Sequence, residues 1–342
     1  LIRQAFSILN TQVEPGTRTV IDMPTPKLSS HTKVDMPVHV VHGKKDGPVL
    51  FLSAAIHGDE LNGIEIIRRV LAIKGLDKMK GTLIAVPVVN AYALIHESRN
   101  LPDRRDLNRS FPGSEAGSLA ARLANVFMQE IVMKCTHGID LHTGSNHRTN
   151  LPQIRANLDD DETSRLAHSF GVPVLINSSL RDGSLRAAAG ELGIPMLLYE
   201  AGEALRFDEV SIRAGVVGIT SVMRSLGMLR PTRSSSKKPA TPFVARSSRW
   251  TRSPESGMLR LDVALGARVE NGDILGFIDD PNEGFVCAIE ATNSGIVIGR
   301  LELPIVHEGD AVYHVARFMD DHGDVEDRVG SFQLDHADDS AG

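Results

Sequence analysis

In Gly47-Pro48-Val49-Leu50-Phe51-Leu52-Ser53-Ala54-Ala55-Ile56-His57-Gly58-Asp59-Glu60-Leu61-Asn62-Gly63-Ile64-Glu65 a strand gives way to a helix. The apolar run from Val49 to Ile56 is short and bounded in front by Gly47-Pro48, the pattern of a buried strand. Leu61, Ile64, Ile67 and Leu71 then recur at helical spacing with Arg68 and Arg69 between them, so an amphipathic helix follows. His57 and Glu60 fall at the junction, where a side chain can leave the sheet and face a crevice. Three residues apart on one turn, an imidazole and a carboxylate converge. They make two-thirds of a catalytic zinc site, which takes three protein ligands and keeps one position open. Alone, the pair has a plainer explanation: a core or capping histidine and a first-turn carboxylate favoured by the helix dipole.

Outward from this stretch, strands and helices alternate. Residues 1–47 hold short edge strands, Val38–Val41 among them, and Thr82–Asn90 is a second buried strand. A polar loop, His96–Ser114, precedes an amphipathic helix marked by Leu119, Leu123, Val126, Phe127 and Ile131. Gly138–His142 returns to strand. Helices over Asp160–Phe170 and Ser184–Leu192 flank the strand Val172–Asn177. Pro195–Glu200 is a further strand, and a helix over Phe207–Leu226 follows. This order predicts an α/β domain over residues 1–230, a mixed and largely parallel sheet flanked by helices.

The composition then shifts. Residues 231–252 are rich in Ser, Pro, Lys and Arg, carry no acid, and predict a connecting segment. Only Phe243 and Trp250 could stack on bases there, so a solvated basic linker is expected and not a nucleic-acid site. Glycines divide residues 253–319 into short strands, an all-β unit resembling the barrel-sandwich hammerheads of biotinyl and lipoyl domains. Thr292-Asn293 stands where such carriers expose a lysine, and no Lys follows Lys238, so an accessory or assembly module is expected. Residues 320–342 set eight acids against Arg328 and predict a mobile acidic tail. Within it His322-Gly-Asp324 echoes the first motif, but Val325 replaces the glutamate.

At 342 residues there is room for two domains, and 42% apolar with 23% charged residues describes a globular chain without a membrane-spanning run. The net charge of −6 is concentrated in the tail, so no whole-protein field draws nucleic acid or membrane. The first residues lack a signal-peptide pattern, and Cys135 and Cys287 are too far apart for a disulfide framework. A cytoplasmic protein is the expectation. Open sheet edges would suit a homo-oligomer.

Three more segments complete the chemistry. Asp140-Leu141-His142 puts a second histidine at a strand end, facing the crevice of His57 and Glu60. Asp106-Leu107-Asn108-Arg109 supplies an amide and a guanidinium together, and Glu200 ends the apolar strand Met196–Tyr199. With Tyr199-Glu200-Ala-Gly202, these motifs resemble the succinylglutamate desuccinylase/aspartoacylase family, a branch of the zinc carboxypeptidase-like superfamily. The similarity runs from about Pro48 to Leu229, and the C-terminal barrel fits a subgroup.

The resemblance implies one zinc ion per chain, held by His57, Glu60 and His142. It implies Glu200 as the carboxylate that activates water, Asn108 and Arg109 as the pair holding a substrate carboxylate, and Asp106 as the group orienting His57. An arginine beside the scissile carbonyl is also implied; Arg99, Arg104 and Arg105 all qualify, and Arg99, ahead of the longer loop, is preferred. The residue types suit these roles. Zinc lowers the pKa of a bound water from 15.7 to about 7, and the planar fork of Arg109 matches a carboxylate better than lysine would. Glu203 is the neighbouring rival to Glu200, and Asp140 either supports His142 or is structural. His96, His137 and His147 are not needed as ligands, and Cys135 has no activating partner. The expected activity is zinc-dependent deacylation, hydrolysis of the amide bond of a small N-acyl amino acid or N-acyl amine. The rivals are a metallocarboxypeptidase and a zinc-binding scaffold without activity.

Overall fold

The computed structural model describes residues 3–178, 181–231, 241–317 and 324–337. The strands of its main sheet, besides the two-residue Arg268–Val269 paired with Gly295–Leu301, are β1 (Thr17–Pro24), β2 (Asp35–His42), β3 (Lys45–Ala54), β4 (Lys80–Val86), β5 (His137–Gly144), β6 (Arg148–Ala156), β7 (Val174–Asn177), β8 (Met196–Glu203), β9 (Phe243–Ala245), β10 (Ser248–Arg252), β11 (Gly295–Leu301) and β12 (Ala311–Arg317). The helices that cover it are α1 (Asn62–Leu71), α2 (Leu119–Glu130), α3 (Asp161–Phe170), α4 (Leu185–Glu191), α5 (Glu209–Ser225) and α6 (Val325–His336).

The centre of the sheet is parallel, in the order β4, β3, β5, β8. Antiparallel strands extend it on both sides, β2 and β1 beyond β4, and β6, β11, β12 and β10 beyond β8. Parallel strands must be covered on both faces, which explains the continuous apolar run in β3. Its side chains alternate: Phe51 packs with Phe127 of α2, while Leu50 and Leu52 pack with Ile67 of α1 and Met223 of α5. The predicted mixed sheet flanked by helices is the observed fold. In α1 the buried apolar side chains are Ile66, Ile67 and Val70; of the expected Leu61, Ile64, Ile67 and Leu71 only Ile67 is fully covered, so the buried stripe is turned slightly.

The C-terminal strands form the expected all-β unit. Gly284–Glu290, Ile274–Asp280, Gly257–Leu261 and Ile305–Val306 make a four-stranded antiparallel sheet over a core of Leu275, Ile278, Val297 and Tyr313. Yet β11 pairs with β6, and β9 pairs with β7, so the main sheet runs on into this unit. The expected connecting segment, 231–252, therefore needs correction. Residues 232–240 lie outside the described residues, and 243–252 hold β9 and β10. Phe243 and Ala245 alternate into the core beside Val174 and Ile176, an apolar signal that the basic composition hid.

The acidic tail is corrected too. Val325–His336 is a helix whose Val325 and Val329 are buried, four residues apart on one face among the acids. Asp320, Asp321, His322, Asp338 and Asp339 lie outside the described residues. No helix among those described is long and apolar enough to cross a membrane.

Candidate active site

The corner after β3 is held by hydrogen bonds from the segment that follows β4. Ala55 takes a positive φ of 50°, turning the chain out of the sheet. Asn90 N donates to Ala55 O at 3.0 Å, and Asn90 Nδ2 to Ile56 O at 3.0 Å. Gly58 lies so close to the next segment that a Cβ there would sit 2.0 Å from the Ala93 carbonyl carbon. Only glycine allows that approach. The corner thereby delivers His57 and Glu60, each 2% exposed, beneath the C-terminal ends of the parallel strands.

Three donors converge there. Glu60 Oε1 lies 2.8 Å from His57 Nδ1, and Glu60 Oε2 lies 2.7 Å from His142 Nδ1. One ligand atom from each residue falls within 4.8 Å of the others. Each imidazole turns its other nitrogen to a carboxylate: His57 Nε2 to Asp106 Oδ1 at 3.0 Å, and His142 Nε2 to Asp140 Oδ2 at 2.7 Å. Carboxylates only accept, so Nε2 carries the proton and Nδ1 is turned toward Glu60. Two imidazole nitrogens and a carboxylate aimed at one point form a donor set able to hold a cation. With protons in that role, burial opposes charge on both rings, yet Glu60 and Asp106 raise His57, and Asp140 and Glu60 raise His142. The Glu60 carboxyl is likewise held below its ordinary range against its own burial, by His57 and His142. This nitrogen and oxygen donor set, backed by two outer carboxylates, fits zinc.

Ser53 Oγ donates to Asp140 Oδ1 at 2.7 Å, which fixes the acid behind His142 and gives Asp140 the supporting position left open by the sequence. Asp106 caps the short turn Leu107–Arg109, its Oδ1 accepting from Asn108 N at 2.8 Å as well as from His57. Arg99 Nη2 donates to Asp106 Oδ2 at 2.8 Å, and its Nη1 lies 3.5 Å from Glu60 Oε1. Of the three candidate arginines Arg99 lines the cavity; Arg104 and Arg105 are exposed and do not. Asn108 Oδ1 accepts from Leu185 N at 2.9 Å, which turns its NH₂ toward the cavity beside Arg109.

The cavity is about 610 Å³ and also holds Glu200, the register neighbour of His142 across β8 and β5. Glu200 Oε2 accepts from Arg155 Nη2 at 2.9 Å and from Asn150 Nδ2 at 3.0 Å; Oε1 has no partner among the described residues. Glu203 turns elsewhere, to Arg206 at 3.1 Å and His147 at 3.8 Å, and does not line the cavity. Cys135 is buried in the α2 core, and burial pushes its thiol up.

Several lining residues were not anticipated from the sequence: Arg155 and Arg186, and from the C-terminal strands Trp250 and Arg252. The polar pair Gln153 and Arg155, alternating with apolar Ile154 and Ala156, was the one available signal. Trp250 stacks on His314 with centroids 4.5 Å apart, and the Arg148 guanidinium lies 5.1 Å from the Trp250 ring centre. Burial, then the charge of Arg155, pushes His314 down to about 3, so this ring is neutral at pH 7. An unfolded histidine titrates near ~6.5. Between those values the unfolded chain binds the extra proton, and stability falls as the pH drops through that window. His314→Phe is expected to flatten the acid side of the stability curve, read from urea melts between pH 7 and 4.

Residues 46–226 match the succinylglutamate desuccinylase/aspartoacylase catalytic domain family. N-alpha-acetyl-L-2,4-diaminobutyric acid deacetylase of Halomonas elongata is 27% identical over 301 residues, 85% of this chain and 88% of that protein. Among solved structures, a succinylglutamate desuccinylase/aspartoacylase from Rhodobacter sphaeroides superposes with a TM-score of 0.78 at 24% identity, covering 89% of this chain and 96% of its own. The product-bound ectoine utilization protein EutE (DoeB) from Ruegeria pomeroyi gives 0.78 at 23% identity, covering 88% and 95%. The structural likeness speaks for the fold. The family match spans more than half the chain, and the chain belongs to the succinylglutamate desuccinylase/aspartoacylase family.

Proposed function

We propose that this protein is a zinc-dependent deacylase that hydrolyses the amide bond of a small N-acyl amino acid or related N-acyl amine. The observation that carries the reading is the convergence of His57, Glu60 and His142 in one cavity with Glu200. One zinc ion would be held by those three residues and, when bound, would supply Lewis acidity toward water and an acyl oxygen. Glu200 is the base: its Oε2 is tied down by Arg155 and Asn150, which leaves Oε1 to take the proton of the attacking water and pass it to the leaving amine. Arg99 donates to the carbonyl oxygen as negative charge builds there. Arg109 and the Asn108 amide hold the substrate carboxylate.

An anionic substrate suits the walls. Arg186 is pushed down to about 10, by burial first and then by Arg155 and Arg181 around it. A carboxylate in the cavity would offset that repulsion. The C-terminal strands wall one side of the cavity with Ser248, Trp250 and Arg252, which suits a small substrate better than a long peptide groove. The relative from Halomonas elongata is named for removing an acetyl group from a diamino acid, and a short acyl group is proposed for this chain as well.

The test is a panel of acetylated, succinylated and aspartylated amino acids, with released amine measured on zinc-loaded protein. Turnover of at least one of them is expected, with little trimming of C-terminal residues from peptides. Trimming of peptides with no turnover of N-acyl amino acids would support the carboxypeptidase reading instead. Within this scheme Asp106→Ala should weaken zinc binding about 10–100-fold, because His57 loses the acceptor that sets its tautomer. A competition titration with a chromogenic chelator reads this directly, and an unchanged affinity would remove Asp106 from that role.

A further inference from the structure

Asn150 and Gly299 are register partners where β11 joins β6, the seam between the α/β sheet and the C-terminal strands. A Cβ built on Gly299 would lie 2.8 Å from Asn150 Oδ1 and 3.4 Å from His314 Cβ. Gly299 is not among the glycines with positive φ, so the backbone does not demand glycine there; the space does. Asn150 is only 7% exposed, which leaves its amide little room to move aside, and from that place Nδ2 reaches Glu200 Oε2. The row continues outward, since His314 pairs with both Gly299 and Trp250.

We infer that Gly299 is a positioning residue for hydrolysis: its missing side chain seats the Asn150 amide, and that amide aims the Glu200 carboxylate. The inference rests on Glu200 being the base. Arg155 alone holds one oxygen at one point and leaves the carboxylate plane free to turn about the last side-chain bond. The second donor fixes that plane and keeps the other oxygen turned to the substrate. The C-terminal strands thus act on the chemistry through the absence of a methyl group, without touching a reacting atom.

Four variants test this: Gly299→Ala, Asn150→Ala, their double, and Asn150→Asp. Gly299→Ala is expected to lower kcat on the order of 10-fold with KM changed less than about twofold, the scale at which a small misplacement acts. Its zinc content should stay near wild type, and its melting temperature should fall only by the cost of crowding one methyl group. Asn150→Ala should lose about as much, and adding Gly299→Ala to it should cost nothing further, because both act through one amide. Asn150→Asp, which keeps the shape and replaces the donor by an acceptor facing Glu200, should lose more. Should Gly299→Ala fold poorly, the two Asn150 variants decide the matter.

Wild-type kcat in Asn150→Ala and Asn150→Asp, or losses that multiply in the double variant, would overturn the inference. Wild-type kcat in Gly299→Ala beside an inactive Glu200→Gln would overturn it while leaving the base assignment standing. Wild-type turnover in Glu200→Gln would remove both.

Discussion

Treatment with a chelator is expected to take amide hydrolysis to the background rate, and stoichiometric zinc to restore it. The expectation follows from the donor set. His57, Glu60 and His142 are nearly inaccessible to water, and two further carboxylates, Asp106 and Asp140, fix the tautomers of the rings. Burial opposes charge on both rings, but Glu60 and Asp106 around His57, and Asp140 and Glu60 around His142, favour a proton there when zinc is absent. Zinc must displace those protons, so binding should release protons and tighten as the pH rises. A second readout does not depend on turnover. Zinc at 100 times its dissociation constant stabilises the folded state by about 2.7 kcal/mol, visible as a rise in melting temperature. His142→Ala is a less clean test, since it strips the buried Asp140 of its ring partner as well as removing a ligand. Hydrolysis that continues unchanged after chelation, with no melting shift on adding zinc, would end the metal reading.

How much of this was legible in the sequence depended on distance along the chain. His57 and Glu60 are three residues apart at a strand-to-helix junction, so local periodicity placed them together. Their meeting with His142, 82 residues from Glu60, needed the parallel pairing of β3 with β5, which the alternation of strands and helices implied. Arg99 could not be separated from Arg104 and Arg105 by type alone. Only the fold of the loop turns Arg99 onto Asp106 and leaves the others in solvent. Arg155 was hard to place because Pro152 in β6 argues against a central strand and outweighs the alternation of Gln153 and Arg155 with Ile154 and Ala156. The seam with β11 was hidden for a deeper reason: pairing between strands some 150 residues apart leaves no local mark. The helix α6 was hidden by composition, with its apolar stripe outvoted by acids that stay in solvent.

Glu200→Gln is expected to lower kcat by about 10²–10⁴, the usual contribution of a positioned base. The change is nearly isosteric. A glutamine oxygen can still accept from Arg155 and Asn150, so the amide NH₂ would take the place of Oε1 and present donors where an acceptor is needed. Zinc affinity should be retained, because Glu200 makes no hydrogen bond to His57, Glu60 or His142. Melting temperature should fall only slightly, since the pair with Arg155 is partly exposed, at 24% and 19% for the two side chains. Glu203→Gln provides the control: Glu203 faces His147 and Arg206 outside the cavity, and turnover should remain near wild type. A Glu200→Gln protein that binds zinc and hydrolyses as fast as wild type would mean that the proton goes elsewhere. If instead neither protein hydrolyses any acylated amine while both bind zinc, the metal serves as a scaffold and the C-terminal strands become the working part.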